Sequence, residues 1–111
     1  MDKMIEREKY SQRGIMKAYH TRIGRLEPKA RNEFYLIKKY AIKEKIIKAF
    51  ESGDVLSPKE IAEKENIPVS TVRTNINKFL KAELIYITNP ERKRNRTYKL
   101  TEEGKEVIDL L

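Results

Sequence analysis

At 111 residues the chain is long enough for one domain with a modest core and an appendage, and too short for two full domains. Its 25 Lys and Arg against 17 Asp and Glu give a formal net charge of +8, which favours a polyanionic partner. There is no cysteine and His20 is the sole histidine, so disulfides, thiol catalysis, a Cys- or His-based zinc site and a Ser-His-Asp triad within one chain are excluded.

Residues 1–27 mix charges of both signs, with Ile15, Met16, Tyr19, Ile23 and Leu26 near helical spacing but Gly14 and Gly24 interrupting it. This segment reads as a basic N-terminal arm, helical or disordered. Arg7, Lys9, Arg13, Lys17, Arg22 and Arg25 suit phosphate tracking, and the apolar residues suit packing on a partner subunit. The charges between Met1 and Tyr10 leave no signal-peptide core, and no apolar run approaches about 18 residues, so a cytoplasmic protein without membrane contact is expected. Heavy use of Lys, Glu and Ile beside a single glutamine, Gln12, resembles proteins of hot-growing organisms.

Pro28 suits the first turn of a helix, and a helical pattern follows through Phe34, Ile37, Ala41, Ile46, Ile47 and Phe50, with Gly53 as its C-terminal stop. The pattern fits one helix or two. It carries Tyr35, Leu36, Tyr40 and Ile42 as well, apolar surface over more than one face, which predicts a homodimer through helix 28–52, the competing reading being that the arm folds back over these residues within one chain.

Val55 and Leu56 read as a short extended piece. Ser57-Pro58-Lys59-Glu60 then supplies an N-cap serine, a proline at the first helical position and a glutamate at the third, a capping box that starts a short helix burying Ile61 and Ala62. Asn66-Ile67-Pro68 ends it, and a second helix runs over 69–82, so the two form a helix-turn-helix. Leu84 to Thr88 and Thr97 to Leu100 read as strands of a hairpin around the loop 89–96, and Thr101 caps a last helix that turns Val107, Ile108 and Leu110 inward. The fold class is mainly α with a small β-hairpin, α+β.

Helix 69–82 holds Arg73, Lys78 and Lys81 and no acid, whereas the helix from Pro58 mixes both signs. With Val72 at the origin of a helical wheel, Ile76, Phe79 and Leu80 fall within about 80 degrees of it. Ser70, Thr74, Asn77, Lys78 and Lys81 fall opposite. These side chains, with Thr71 and Arg73, are of the types that bond base edges and phosphates: Asn77 can pair two-pronged with adenine and Arg73 with guanine. The loop 89–96 adds Arg92, Lys93, Arg94 and Arg96, cations that neutralise phosphates or enter a narrow minor groove. The competing readings are a solvated helix face and a solvated loop.

The order helix, short strand, helix, turn, helix, hairpin, helix resembles the winged helix-turn-helix family of MarR-like and PadR-like transcription regulators, over about residues 41–111. The strings that carry the resemblance are Ser57-Pro58-Lys59-Glu60-Ile61-Ala62, Ser70-Thr71-Val72-Arg73, Leu84-Ile85 and Tyr98-Lys99-Leu100-Thr101-Glu102-Glu103-Gly104-Lys105. The resemblance implies a winged helix-turn-helix domain over 28–111 with a long first helix and an extra N-terminal helical segment. Two positions depart from it: Pro68 stands where relatives have a serine or threonine cap, and Glu83 where they usually have glycine. The expected function is sequence-specific binding of double-stranded DNA by a small transcription regulator, helix 69–82 reading the major groove and the wing 89–96 the backbone or minor groove. The alternatives are a DNA-binding component of replication, partition or chromatin with little sequence discrimination, and a winged-helix protein-interaction module. No cofactor, metal site or enzyme constellation is expected, and no effector pocket is legible.

Overall fold

The computed structural model describes residues 19–111. In chain order the elements are the helical residues 19–24 (α1), α2 (Pro28–Lys39), α3 (Ala41–Lys48), α4 (Pro58–Glu65), α5 (Val69–Lys81), β1 (Ile85–Ile87), β2 (Tyr98–Leu100) and α6 (Glu102–Leu110). One core, built on Phe34, Phe50 and Phe79 and the fully buried Ile37, Ile46, Ile47, Ile61, Ile76 and Leu84, joins all the helices to the hairpin.

The core begins before residue 27, because Ile23 and Leu26 are buried in it and Tyr19 packs against it. Three polar contacts tie this stretch to α6. The Tyr19 hydroxyl donates to the carbonyl of Leu110, Arg22 pairs with Glu106 at 2.9 Å, and the Glu27 amide donates to the Glu103 carboxylate at 2.9 Å. Arg22, expected among the phosphate-tracking cations, thus has its partner inside the chain. Arg7, Lys9, Arg13, Ile15 and Lys17 lie outside the described residues.

The pattern from 28 to 52 resolves into two helices. Tyr40 has extended backbone angles, φ −115° and ψ 109°, and the chain turns a corner there. Across that corner Lys43 of α3 reaches Glu33 of α2, Nζ to Oε2 at 2.9 Å, and both side chains are buried. The same Nζ lies 5.5 Å from the ring centroid of Phe79 in α5. The regular helix also stops earlier than Gly53 suggested, at Lys48. Tight turns carry the chain onward through the bonds of Phe50 N to Ile47 O and Gly53 N to Phe50 O, which keeps Phe50 in the core, and Gly53 takes a left-handed φ of 80° beyond them.

The capping box at α4 forms in full: the Glu60 amide donates to the Ser57 hydroxyl, and the Ser57 amide donates to the Glu60 carboxylate. Asn66, left-handed at φ 54°, ends α4, and Pro68 precedes α5 without a side-chain cap. Leu56 pairs with Tyr98 in a two-way bridge that adds a single residue to the outer side of β2. β1 and β2 run antiparallel with Ile85 opposite Leu100, Tyr86 opposite Lys99 and Ile87 opposite Tyr98.

Glu83 occupies the left-handed turn that glycine usually serves, at φ 58°. That conformation costs a residue with a Cβ about 1 to 2 kcal/mol. The surroundings offset it: the Thr101 hydroxyl donates to the Glu83 carbonyl at 2.7 Å, and Lys29 pairs with the Glu83 carboxylate. The same Thr101 oxygen accepts from the Gly104 amide and so caps α6. A Cβ at position 104 would sit 2.0 Å from the Leu84 carbonyl oxygen, so glycine is what allows α6 to lie against the start of the hairpin.

The corner pair gives a sharp expectation. Glu33→Leu leaves the Lys43 ammonium buried without its partner and should lower unfolding stability by about 3 to 5 kcal/mol, whereas the double variant Glu33→Leu with Lys43→Met should recover most of that loss. Urea denaturation of the wild type, both single variants and the double variant reads it directly, and a double variant no more stable than Glu33→Leu alone would refute it.

Candidate nucleic-acid interface

α5 separates its faces cleanly. Val72, Ile76 and Phe79 are buried, and burial of each such side chain stabilises the fold by about 1.5 to 3 kcal/mol. Ser70, Arg73, Thr74, Asn77, Lys78 and Lys81 are exposed, and Thr71 is half-buried. Among the described residues the ion pairs lie elsewhere, at Arg22–Glu106, Lys29–Glu83, Lys43–Glu33, Lys48–Glu44 and Lys105–Glu102, so none of the α5 or wing cations is neutralised by one.

The wing is shaped by Asn89. Its side-chain oxygen accepts from the Thr97 amide at 2.9 Å, its amide nitrogen donates to the Asn95 carbonyl, and its backbone carbonyl accepts from the Arg92 amide. Asn95 is left-handed at φ 54°. Arg96 donates through Nε to the Arg92 carbonyl at 2.7 Å, which fixes the guanidinium, whereas Arg92, Lys93 and Arg94 are exposed.

The structure brings part of the expected set together. Arg73 and Asn77 of α5 and Lys93, Arg94 and Arg96 of the wing line one open groove of about 630 Å³, floored by Ile76 and Tyr98. Ser70, Thr71, Thr74, Lys78, Lys81 and Arg92 are not part of its lining. Within α5 the Thr74 hydroxyl donates to the Ser70 carbonyl, a bond that any contact with a ligand has to share or replace.

Asn89, with Pro90 expected from the sequence to hold the loop as a turn, bonds across it to Thr97 and Asn95. Two residues were not picked out from the sequence as site residues. Asn75 is buried and donates to the Thr71 carbonyl at 3.0 Å; its place inside the apolar arc of the wheel, four residues after Thr71, was the available signal. Lys59 lines the groove from the first turn of α4, and nothing in its neighbourhood in sequence distinguishes it from other surface lysines.

A helix-turn-helix followed by a two-stranded hairpin, with one basic helix exposed beside a basic hairpin loop, defines a winged helix-turn-helix. Residues 41–86 match the family model of winged helix-turn-helix DNA-binding domains. No curated protein sequence matches the chain. Among solved structures it is similar to the multiple antibiotic-resistance repressor MarR of Listeria monocytogenes, with TM-score 0.60 and 15% identity over 96% of this chain and 66% of that one. It is also similar to Staphylococcus aureus MarR in complex with salicylate and kanamycin, with TM-score 0.58 and 20% identity over 96% and 68% of the two chains. The third is the S. aureus MepR–DNA complex, with TM-score 0.53 and 12% identity over 96% and 77%. The chain therefore has a MarR-like winged helix-turn-helix fold, and it spans just under two thirds of the length of the Listeria protein.

The two asparagines of α5 differ in place: Asn77 is exposed at the groove, and Asn75 is buried and bonded to the Thr71 carbonyl. Asn77→Ala should relax base preference at one position of a bound site, at a cost of about 1 to 3 kcal/mol for the preferred base, and leave stability unchanged. Asn75→Ala should lower stability and leave base preference intact. Competition binding on a panel of single-base-pair variants, paired with thermal unfolding, distinguishes them; the reverse pattern would remove Asn77 from the reading face.

Proposed function

We propose that the protein is a transcription regulator that binds double-stranded DNA in a sequence-specific way. In this reading α5 enters the major groove and presents Ser70, Thr71, Arg73, Thr74, Asn77, Lys78 and Lys81, while Arg92, Lys93, Arg94 and Arg96 hold the flanking backbone or an adjacent minor groove. The observation that carries it is the groove in which Arg73 and Asn77 meet Lys93, Arg94 and Arg96, a convergence of cations that no carboxylate among the described residues pairs. A MepR structure with the same fold is a DNA complex, and the Listeria relative is called a repressor, which supports the same reading. Occupancy of a promoter would be the mechanism. Among the described residues no helix is long and apolar enough to cross a membrane, and a cytoplasmic location is part of the proposal.

The proposal includes a homodimer. α2 turns Phe34 and Ile37 into its own core and leaves Tyr35 54% and Leu36 39% exposed; Tyr40 at the corner and Ile42 in α3 are 47% and 43% exposed. Covering this surface with a second copy would place two recognition helices for a site with two-fold symmetry, its half-sites about one helical turn apart. Sedimentation at tens of micromolar should show a dimer, and Tyr40→Glu combined with Ile42→Glu should give a folded monomer. A monomeric wild type would overturn this part.

Selection of binding sites from random duplexes tests the regulator reading, with the affinity for the winning sequence compared with that for a scrambled duplex. A preference of about a thousandfold or more is expected for a regulator. Changing Arg92, Lys93 and Arg94 together to Ala should weaken binding to every sequence and flatten its dependence on salt. Salt-sensitive binding with no recovered motif would favour an architectural role, and absence of binding at low salt would move the basic face to a protein partner.

A further inference from the structure

The wing is only one wall of the groove. The start of α4 borders it too: Ser57, Pro58, Lys59 and Glu60 are in the lining, so that Lys59 and the wing's Lys93 and Arg94 border one space together with Arg73 and Asn77 of α5. The two walls are joined at their base. Leu56, the residue before the Ser57 cap, exchanges two backbone hydrogen bonds with Tyr98 at the wing end of β2, at 3.0 and 2.9 Å. The capping box then fixes the first turn of α4 on that anchor. The start of α4 is therefore joined to the base of the wing by backbone bonds.

In a duplex the major groove and the neighbouring minor groove are divided by one phosphate strand. A protein that places a helix in the first and a hairpin loop in the second has to pass that strand between them. We propose that the groove between α4, α5 and the wing is the seat of that single strand, and that Lys59, in its lining, is a phosphate-contacting residue. The inference rests on the reading that α5 and the wing bind duplex DNA. Lys59 lies in no ion pair among the described residues. The one carboxylate in the lining, Glu60, accepts the Ser57 amide at 3.0 Å and belongs to the helix cap. A lysine is a compact charge that contributes to phosphate binding whatever the base sequence. Lys59 thus adds affinity and register, while the base-reading groups stay on α5.

The test measures binding to a mixed-sequence duplex over a range of salt concentrations, for the full-length wild type, Lys59→Ala, Lys59→Arg and Lys64→Ala, with circular dichroism confirming that each is folded. Lys64, in the last turn of the same helix, lies outside the lining and removes the same charge. Each phosphate contact contributes about 0.9 to the slope of log affinity against log salt, so Lys59→Ala should lower the slope by about one, Lys59→Arg should restore it, and Lys64→Ala should leave it as in the wild type. A wild type that binds DNA with the same slope as folded Lys59→Ala overturns the seat and leaves the DNA-binding reading standing. An equal loss for Lys64→Ala, or failure of Lys59→Arg to restore the slope, also overturns it. A wild type that does not bind duplex DNA overturns both.

Discussion

The corner at Tyr40 is held by two opposite charges taken out of water together. An ammonium and a carboxylate each lose several kcal/mol of solvation on burial, and only a short, well-aligned pair recovers it. The Lys43–Glu33 pair at 2.9 Å meets that condition, and its value is geometric more than energetic, because an apolar pair of similar volume fills such a space at no worse cost. What the ion pair adds is intolerance of sliding. α2 and α3 cannot shift along one another without separating the charges, and the ammonium held there also faces the ring of Phe79, the buried anchor of α5. The helix that presents Arg73 and Asn77 to solvent is thereby mounted on a corner with one allowed arrangement.

The hairpin is anchored by a different means. Its root is crowded with backbone contacts: Leu56 against Tyr98, Thr101 against both Glu83 and Gly104, and the Gly104 backbone against the Leu84 carbonyl. Its tip depends on local bonds from Asn89 and on the Arg96 to Arg92 contact. The side chains of Arg92, Lys93 and Arg94 are exposed and lie in no ion pair among the described residues. Such a division suits a partner whose backbone varies in shape, because a well-bonded root fixes where the tip arrives and long exposed cations can adapt to the phosphates they meet.

Features that depend on neighbours in sequence were legible in it. The capping box from Ser57 to Glu60, the apolar spacing of Val72, Ile76 and Phe79, the Thr101 cap and the strand pair all formed where local chemistry pointed. Features that depend on tertiary proximity were not. Glu33 and Lys43 carry no mark in the sequence, ten residues apart with no periodic relation. The break at Tyr40 carries neither glycine nor proline, and the helical pattern continues through it because both helices face the same core. Gly53 marked a real left-handed turn but not the end of the helix, because tight turns after Lys48 keep Phe50 facing inward. Lys59 was invisible for the same reason: its place in the groove is set by the Leu56–Tyr98 bridge, a pairing 42 residues long in sequence that no local pattern encodes. Glu83 is the converse case, a violated local rule that the fold accommodates through Thr101 and Lys29.

The net charge of +8 acts as more than a global property because of where the carboxylates are used. Glu33, Glu83, Glu103 and Glu106 each hold a group of this same chain: the Lys43 and Lys29 ammoniums, the Glu27 amide and the Arg22 guanidinium. The cations of α5 and the wing have no such partners among the described residues. A field organised in this way attracts and orients a polyanion before contact, and it weakens with added salt far more than the buried Lys43–Glu33 pair does. Folding and electrostatic attraction thus draw on separate sets of charges. An ionic strength that weakens such attraction leaves the corner beneath α5 in place.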